Sequence, residues 1–293
     1  MQYLIYFYLF IFGLAFGSFL NVVSLRYKPE QKLFSLKIIG GRSHCLACRK
    51  QLVWYELVPI FSFLFQKGKC RHCGHRISLQ YPLVEFLAAV IFIAVPFLLS
   101  AGQWSMVSGQ WLRIIIWIAI FLLFLLLAII DFRHYIIPDE INILLAVLGI
   151  MMIVSPVGSQ MLKVNDQMSF IGYYSMLFGS FGNIWVNHIG GAILPMVFFG
   201  LIIILSRGRG MGVGDFKLAG ALGLIFGWPD ILLVLALSFI VGAFVSVFLM
   251  IRKKKNIKDA VPFGPFLVIG AALVFFFGFQ IVNLYFGFFG LIM

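Results

Sequence analysis

Charged side chains are scarce in this chain, and acidic ones are the scarcest. Only 11% of the 293 residues are charged, with 10 Asp or Glu in all, whereas 62% are hydrophobic. A soluble domain has about 25% charged and about 45–50% apolar residues. The composition therefore excludes a soluble globular protein and predicts an integral membrane protein in contact with the lipid bilayer.

The apolar runs lack the alternation of polar and apolar residues that marks the strands of a membrane β-barrel. We therefore predict an all-α polytopic membrane protein with about eight transmembrane helices. The sixth hydrophobic segment is shorter than the ~20 residues that cross a bilayer, so a break or a tilt is expected there. The eight segments cover residues 3–25, 82–100, 111–131, 136–155, 186–206, 217–228, 231–251 and 262–290.

Basic residues are concentrated in alternate loops. Of the 22 Lys and Arg, only Arg113 and Lys163 lie elsewhere. The others lie at 26–76, at 133, at 207–217 and at 252–258. With the N-terminus outside the cytoplasm, eight spans place these clusters inside, as the positive-inside rule requires. The net charge of +12 is then a topology signal, no nucleic-acid partner is expected, and the long connection 156–185 falls outside the cytoplasm.

One region of the chain is sizeable and polar, and it divides the sequence. We expect a first transmembrane helix at 1–25, a small cytoplasmic module at 26–81 and a transmembrane core at 82–293. The apolar start has no basic n-region and no small-residue cleavage site, so it is interpreted as a span rather than a signal peptide.

The four cysteines all lie in the polar module, as two pairs. The pairs are Cys45-x-x-Cys48 and Cys70-x-x-Cys73, 21 residues apart, close to the spacing of a zinc ribbon. Four thiolates complete a tetrahedral shell around Zn²⁺ and leave no position for water, so the metal is expected to be structural. Disulfides are the alternative, but a cytoplasmic module keeps its thiols reduced. The neighbouring histidines His44, His72 and His75 are expected to be solvated, with the replacement of one thiolate by a histidine as the alternative.

Two aspartates lie at the cytoplasmic ends of non-adjacent hydrophobic segments. Asp131 directly follows "FLLFLLLAII", and Asp215 precedes the sixth segment. Ionisable groups at membrane depth usually mark function. The helix dipoles favour a protonated carboxyl at Asp131 and an ionised one at Asp215. This is the division of labour of an aspartic protease, so we predict Asp131 and Asp215 as the catalytic pair.

Glycines and a lysine surround Asp215. Gly212 and Gly214 are predicted to let a substrate backbone come close, and Lys217 is expected at the same boundary. The stretch lacks the spacing of either common nucleotide-binding loop. Asp139, which follows Pro138, is interpreted as a first-turn residue of the next helix, with a catalytic role in place of Asp131 as the alternative.

Several motifs occur in order along nearly the whole chain. They are "FGSFLNVVSLR" (16–26), the two CxxC pairs, "YPLVEFLAA" (81–89), "IDFRHYIIPD" (130–139) and "GMGVGDFKLAGALG" (210–223). In this the chain resembles the bacterial type IV prepilin peptidases, GxGD-type intramembrane aspartic proteases of type IV pilus, type II secretion and competence systems. By position in these motifs, Asp131 and Asp215 match the catalytic pair and the cysteine module matches the zinc-binding domain.

The resemblance also implies a substrate and a second activity. Members cut the basic leader of prepilins or pseudopilins at the cytoplasmic face of the inner membrane, after a glycine. Many then methylate the new N-terminus with S-adenosylmethionine. Asn21, Arg26 and Glu85 lie in the N-terminal motifs and are candidates for that second step, with helix packing as the alternative. The competing functions are a non-catalytic assembly factor and a proton-coupled transporter.

Overall fold

The computed structural model describes residues 2–100, 110–154, 169–179, 183–252 and 261–290. Within these ranges the regular structure is helical, apart from two isolated β-bridges, His44–Gln51 and Lys69–Arg76. Two short 3-10 helices span Trp54–Glu56 and Gly172–Phe178. The α-helices of the described ranges are α1 (Gln2–Arg26), α2 (Leu36–Ile39), α3 (Phe61–Phe65), α4 (Gln80–Ser100), α5 (Gln110–His134), α6 (Asp139–Val154), α7 (Ile184–Leu205), α8 (Val213–Phe226), α9 (Asp230–Ile251) and α10 (Gly264–Phe288).

Each of the eight predicted hydrophobic segments is helical over most of its length, which confirms the all-α membrane fold. Six helices of the described ranges are long and apolar enough to cross a bilayer, namely α1, α4, α5, α7, α9 and α10. The count of eight is approximate, because α6 has 16 residues and α8 has 14. At about 1.5 Å per residue, these two helices fall short of the ~30 Å hydrocarbon core.

The chain divides into two compact units, Met1–Leu126 and Leu127–Met293. In the first unit, α1 and α4 pack along each other. Their backbones approach closely at Gly17, where an added Cβ would lie 2.6 Å from the Cα of Glu85. Small residues at such a crossing are typical of helix packing in membranes. This tight pair carries the small polar region between its two helices.

In the second unit, α8 is the central helix and packs against both α6 and α7, while α9 packs against α10. The buried side of α8 is made of Leu, Ile, Phe, Ala and Gly residues from Leu218 to Phe226. Both predicted catalytic aspartates belong to this unit, Asp131 on the last turns of α5 and Asp215 on the first turn of α8.

The connection predicted at 156–185 lies only partly within the described residues, in the ranges 169–179 and 183–185. Its 3-10 helix stacks Tyr174 on Phe286, with ring centroids 4.9 Å apart. The Nε1 of Trp228 donates a hydrogen bond to the carbonyl of Phe178 at 3.1 Å. Since Trp228 follows the C-terminal end of α8, this segment lies at the end of α8 opposite Asp215.

Candidate active site

Asp131 is buried, with 4% of its surface exposed. Its Oδ2 accepts a hydrogen bond of 3.0 Å from the main-chain N–H of Gly264, the first residue of α10. An N–H at a helix N-terminus has no partner inside its own helix, and it favours a negative charge close to it. From the sequence we considered only the C-terminus of α5 around Asp131, and we missed the N-terminus of α10.

The signal for that missed contact was present in the sequence. Gly264 is followed by Pro265 in "FGPF", and Pro at the first positions of a helix marks its start. The sequence did not indicate which group accepts a hydrogen bond from the unpaired N–H at this helix start. A Cβ added to Gly264 would lie 2.5 Å from Asp131 Oδ2, so any larger residue at this position would force the carboxylate to move.

Asp215 lies in the first turn of α8, directly after the glycine-rich stretch. Gly212 is the extended residue that precedes the helix, and it lies next to the Asp215 carboxylate. A Cβ at Gly212 would approach Asp215 Oδ2 to 3.2 Å. The predicted glycine loop is therefore in direct contact with the predicted catalytic side chain.

The two aspartates come together around Ile137. This side chain contacts both neighbouring backbones, since added Cβ atoms at Gly214 and at Gly264 would each lie 3.1 Å from one of its carbons. Asp131 and Asp215 are close enough for the charge of one to act on the other. Ile137 lies in the motif "IDFRHYIIPD" (130–139), but its apolar side chain gave no indication of this position between the two aspartates.

Asp139 and Lys217 form an ion pair at the same end of the unit. The Lys217 Nζ lies 2.8 Å from both carboxylate oxygens of Asp139, and both side chains are largely exposed. Asp139 was the alternative to Asp131 as a catalytic residue, and here its carboxylate is occupied by Lys217. The pair joins the first turn of α6 to the second turn of α8.

This arrangement suits chemistry that needs two carboxyl groups in different protonation states. Two carboxylates that share a site do not readily ionise together, so one retains a proton while the other is charged. Such a pair titrates as a unit. A water between an acid and a base of this kind is activated for attack on a carbonyl group.

The four cysteines converge in the first unit. Their Sγ atoms all lie within 4.8 Å of one another, and those of Cys45 and Cys73 are 3.9 Å apart. A tetrahedron with Zn–S bonds of about 2.3 Å has sulfur atoms about 3.8 Å apart, so the set fits a zinc ion. A disulfide would require an S–S distance of about 2.0 Å.

Each cysteine pair is held by a tight turn of the same kind. The Cys45 N–H donates to the carbonyl of Lys50, and the Cys70 N–H to that of His75, both at 2.9 Å. A main-chain hydrogen bond from Cys48 is the largest influence on Cys45 and helps lower the pKa of its thiol to about 7. A main-chain hydrogen bond from His75 lowers the pKa of Cys73, but partial desolvation and the three other thiols raise it overall to about 11, so one thiol of the cluster ionises far more readily than another.

His72, which lies between Cys70 and Cys73 in the sequence, has contacts that occupy both of its ring nitrogens. His72 lies 3.7 Å from a carboxylate oxygen of Glu56 through its Nε2, and 3.1 Å from the Nζ of Lys50 through its Nδ1. Its ring nitrogens therefore have partners other than a metal. The four thiols are the set with metal-binding geometry in the described part of the chain.

Arg26, a candidate for the second activity, lies at the end of α1. Its guanidinium donates hydrogen bonds to the carbonyl groups of Ile38 at 3.2 Å, of Arg42 at 3.0 Å and of Gly40. These contacts fix the chain just before the first cysteine pair. Arg26 thus ties α1 to the cysteine module.

Asn21 and Glu85, the other two candidates, are both buried. Asn21 Nδ2 donates to the carbonyl of Tyr81 at 3.1 Å, which connects α1 to the first turn of α4. Glu85 Oε2 accepts a 2.7 Å hydrogen bond from the N–H of Ile60, just before α3. Both side chains therefore have contacts that organise the first unit.

Two family models match most of the chain. The model of the bacterial peptidase A24 N-terminal domain matches residues 11–99, and that of the type IV leader peptidase family matches residues 117–247. The first covers the paired helices and the cysteine module, and the second covers both aspartates. No solved structure matches the chain.

Curated relatives match over almost their whole length. A prepilin leader peptidase/N-methyltransferase of Bacillus subtilis is 31% identical over 94% of this chain and 96% of its own. Proteins of the same name from Aeromonas hydrophila and Xanthomonas campestris are 29% and 32% identical, over 94% and 95% of this chain and 92% and 93% of their own. The chain belongs to the type IV leader peptidase family.

Proposed function

We propose that this protein is an intramembrane aspartic endopeptidase that removes the basic leader of type IV prepilins or pseudopilins. The observation that carries the proposal is the meeting of Asp131 and Asp215 in one unit, with the Asp131 carboxylate held by the main-chain N–H of Gly264. The family and the names of the relatives supply the substrate class. Cleavage follows a glycine and precedes a hydrophobic or aromatic residue.

In the proposed reaction, the ionised carboxyl of the pair takes a proton from water as the water attacks the scissile carbonyl. The protonated carboxyl donates to the carbonyl oxygen, on which negative charge develops. The Gly264 N–H holds Asp131 in position. The loop of Gly212 and Gly214, with Lys217 beyond it, is the proposed surface along which the substrate backbone approaches.

A second proposed activity is methylation of the new N-terminus with S-adenosylmethionine, as the names of the relatives state N-methyl transfer for them. Asn21, Arg26 and Glu85 remain candidates by motif position. Since each also has hydrogen bonds within the first unit, a test of their role has to measure folding as well as methyl transfer.

The cysteine cluster is proposed to hold one structural Zn²⁺. Cys45, Cys48, Cys70 and Cys73 would supply all four ligands, which leaves no open position for a reacting water. The metal would stabilise a module of about 55 residues, a size at which a hydrophobic core is rarely sufficient.

We place the protein in the bacterial inner membrane, with its N-terminus outside and both aspartates facing the cytoplasm. The basic clusters at 26–76, 207–217 and 252–258 support this orientation. The proposed division of the chain keeps the first helix (1–25), the zinc module (26–81) and the peptidase core (82–293).

The test is cleavage of a prepilin with a Gly-Phe junction by the purified protein in detergent or lipid. Wild type should release the leader, and Asp131→Ala and Asp215→Ala should not, with the products read by mass spectrometry. A wild type that is inactive on several such substrates would favour an assembly factor or a transporter. The cleaved product then serves as the substrate for methyl transfer from S-adenosylmethionine.

A further inference from the structure

Asn142 on α6 is a buried amide whose polar atoms are both unpaired. Only 6% of its surface is exposed, and neither Oδ1 nor Nδ2 has a hydrogen-bond partner among the residues that the structure describes. Buried polar atoms nearly always have partners, so each exception in a native protein needs an explanation. An apolar side chain of similar size would fit a helix interface without this penalty.

The side chain lies on the side of α6 that faces α8. The buried residues of α6 are Ile141, Asn142, Leu145, Gly149 and Ile153. Gly149 contacts α8 directly, since an added Cβ would lie 3.2 Å from the Cβ of Leu224. Asn142 precedes Gly149 by about two helical turns and therefore lies on the same face.

Along the helix axis, Asn142 lies close to the predicted catalytic end. Asp139 precedes it by three residues, about 4.5 Å, and is bound by Lys217 at 2.8 Å. Lys217 is the second residue after Asp215. The unpaired amide therefore lies one helical turn after the Asp139–Lys217 ion pair along α6. It is located between α6 and α8, the helix that carries Asp215.

The Asp139–Lys217 ion pair, one helical turn before Asn142, is a contact that separates readily. Both partners of the ion pair are largely exposed, and exposed ion pairs contribute little to stability. If this contact opens, a chain that enters between the first turns of α6 and α8 meets an amide with one free acceptor and one free donor. Those are the two groups that pair with the N–H and C=O of a peptide main chain.

We infer that Asn142 is a substrate-binding residue, which pairs with the main chain of the extended peptide at the cleavage site. The inference rests on the proposed peptidase function. An uncharged amide is better suited to pairing with a peptide backbone than to binding an ion. Such pairing does not depend on the side chains of the substrate. Asn142 would thus hold different prepilin sequences in the same register beside Asp131 and Asp215.

The experiment uses the full-length protein in lipid nanodiscs and synthetic prepilin peptides with a Gly-Phe junction. One peptide has only amide bonds. Two others replace the amide just before the glycine, or just after the phenylalanine, by an ester, which removes one N–H donor. For wild type, we expect at least one ester to lower kcat/KM about three- to tenfold, the effect of one lost hydrogen bond.

For Asn142→Leu, we expect kcat/KM on the all-amide peptide to fall about tenfold, mainly through KM. The ester penalty seen with wild type should disappear, because the partner of the missing N–H is gone. The thermal midpoint of the variant should equal or exceed that of wild type, since an unpaired buried amide has been removed. Asn142→Ala provides the same ester comparison should the leucine not be accommodated.

Asn187 offers a matched control, because it is also 6% exposed and lies near the start of α7, away from the aspartates. Asn187→Leu should lower the thermal midpoint and leave the ester penalty intact. An ester penalty that is equal in wild type and in the Asn142 variants would overturn the inference. The same result is expected if Asn142 only binds a buried water. A wild type that cuts no peptide would instead reject the peptidase function itself.

Discussion

The main-chain N–H of Gly264 donates a 3.0 Å hydrogen bond to Oδ2 of Asp131, from a residue 133 positions further along the chain. The first residue of α10 thereby holds a carboxylate at the end of α5. The orientation of this carboxylate is set by a backbone group, which no side-chain motif encodes.

Gly264→Ala is expected to lower kcat by at least about tenfold and to leave a folded protein. The added Cβ would lie 2.5 Å from Asp131 Oδ2, so the carboxylate has to move away from its N–H partner, and small displacements at a reacting centre slow catalysis strongly. The measurement is single-turnover cleavage of a prepilin, together with a thermal melt.

Gly190→Ala serves as the control for this substitution, since an added Cβ there meets nothing within 4 Å. It should cleave at the wild-type rate. A Gly264→Ala variant as fast as the control would show that the position of the Asp131 carboxylate does not limit the reaction.

Asp139→Asn distinguishes between the two roles considered for Asp139, that of a first-turn helix residue and that of a catalytic residue. An exposed ion pair contributes at most ~1 kcal/mol, so loss of the bond to Lys217 should change kcat/KM by no more than about fivefold. Asp131→Asn should lower it by about 10²- to 10⁴-fold, the range for loss of an acid or base. The opposite ranking of the two variants, measured on one prepilin, would move the catalytic role to Asp139.

Removal of the metal should unfold the cysteine module. The purified protein is expected to contain one zinc per chain by elemental analysis, and a strong chelator or Cys45→Ser should lower the thermal midpoint. Because the metal binds thiolates, protons compete with it and its affinity should fall as the pH falls. A protein without bound zinc whose melting is insensitive to chelator would exclude the structural metal.

The proposed orientation is testable with fusions at two described positions. A fluorescent protein, which matures in the cytoplasm, should be fluorescent when fused after Arg209. Alkaline phosphatase, which is active outside the cytoplasm, should be active when fused after Phe178. Active phosphatase at Arg209 and fluorescence at Phe178 would invert the topology.

Much of the candidate site could be predicted from local patterns. The CxxC spacing identified four cysteines whose sulfur atoms do converge, because each pair forms its own tight turn. Asp215 was predicted at the N-terminus of a helix, and it does lie in the first turn of α8, which begins at Val213. These features depend on residues close together in the chain, so the sequence contains nearly all the information that forms them.

The number of membrane-crossing helices could not be predicted from hydropathy alone, since hydropathy does not fix the length of a helix. The segment at 217–228 proved to be part of a 14-residue helix. A helix this short is accommodated because its neighbours α6 and α7 cover it, and that depends on packing rather than on composition.

The amino-acid sequence by itself determined that this is an all-α membrane protein with a four-thiol cluster and two aspartates at helix ends, since composition and spacing are local properties. Only the tertiary structure decided that Gly264 holds Asp131, that Lys217 occupies Asp139 and that Asn142 is buried with no partner among the described residues. The first two contacts join helices far apart in the chain, and the burial of Asn142 depends on the helix packed against it. This geometry follows from how the helices pack, which no single segment specifies.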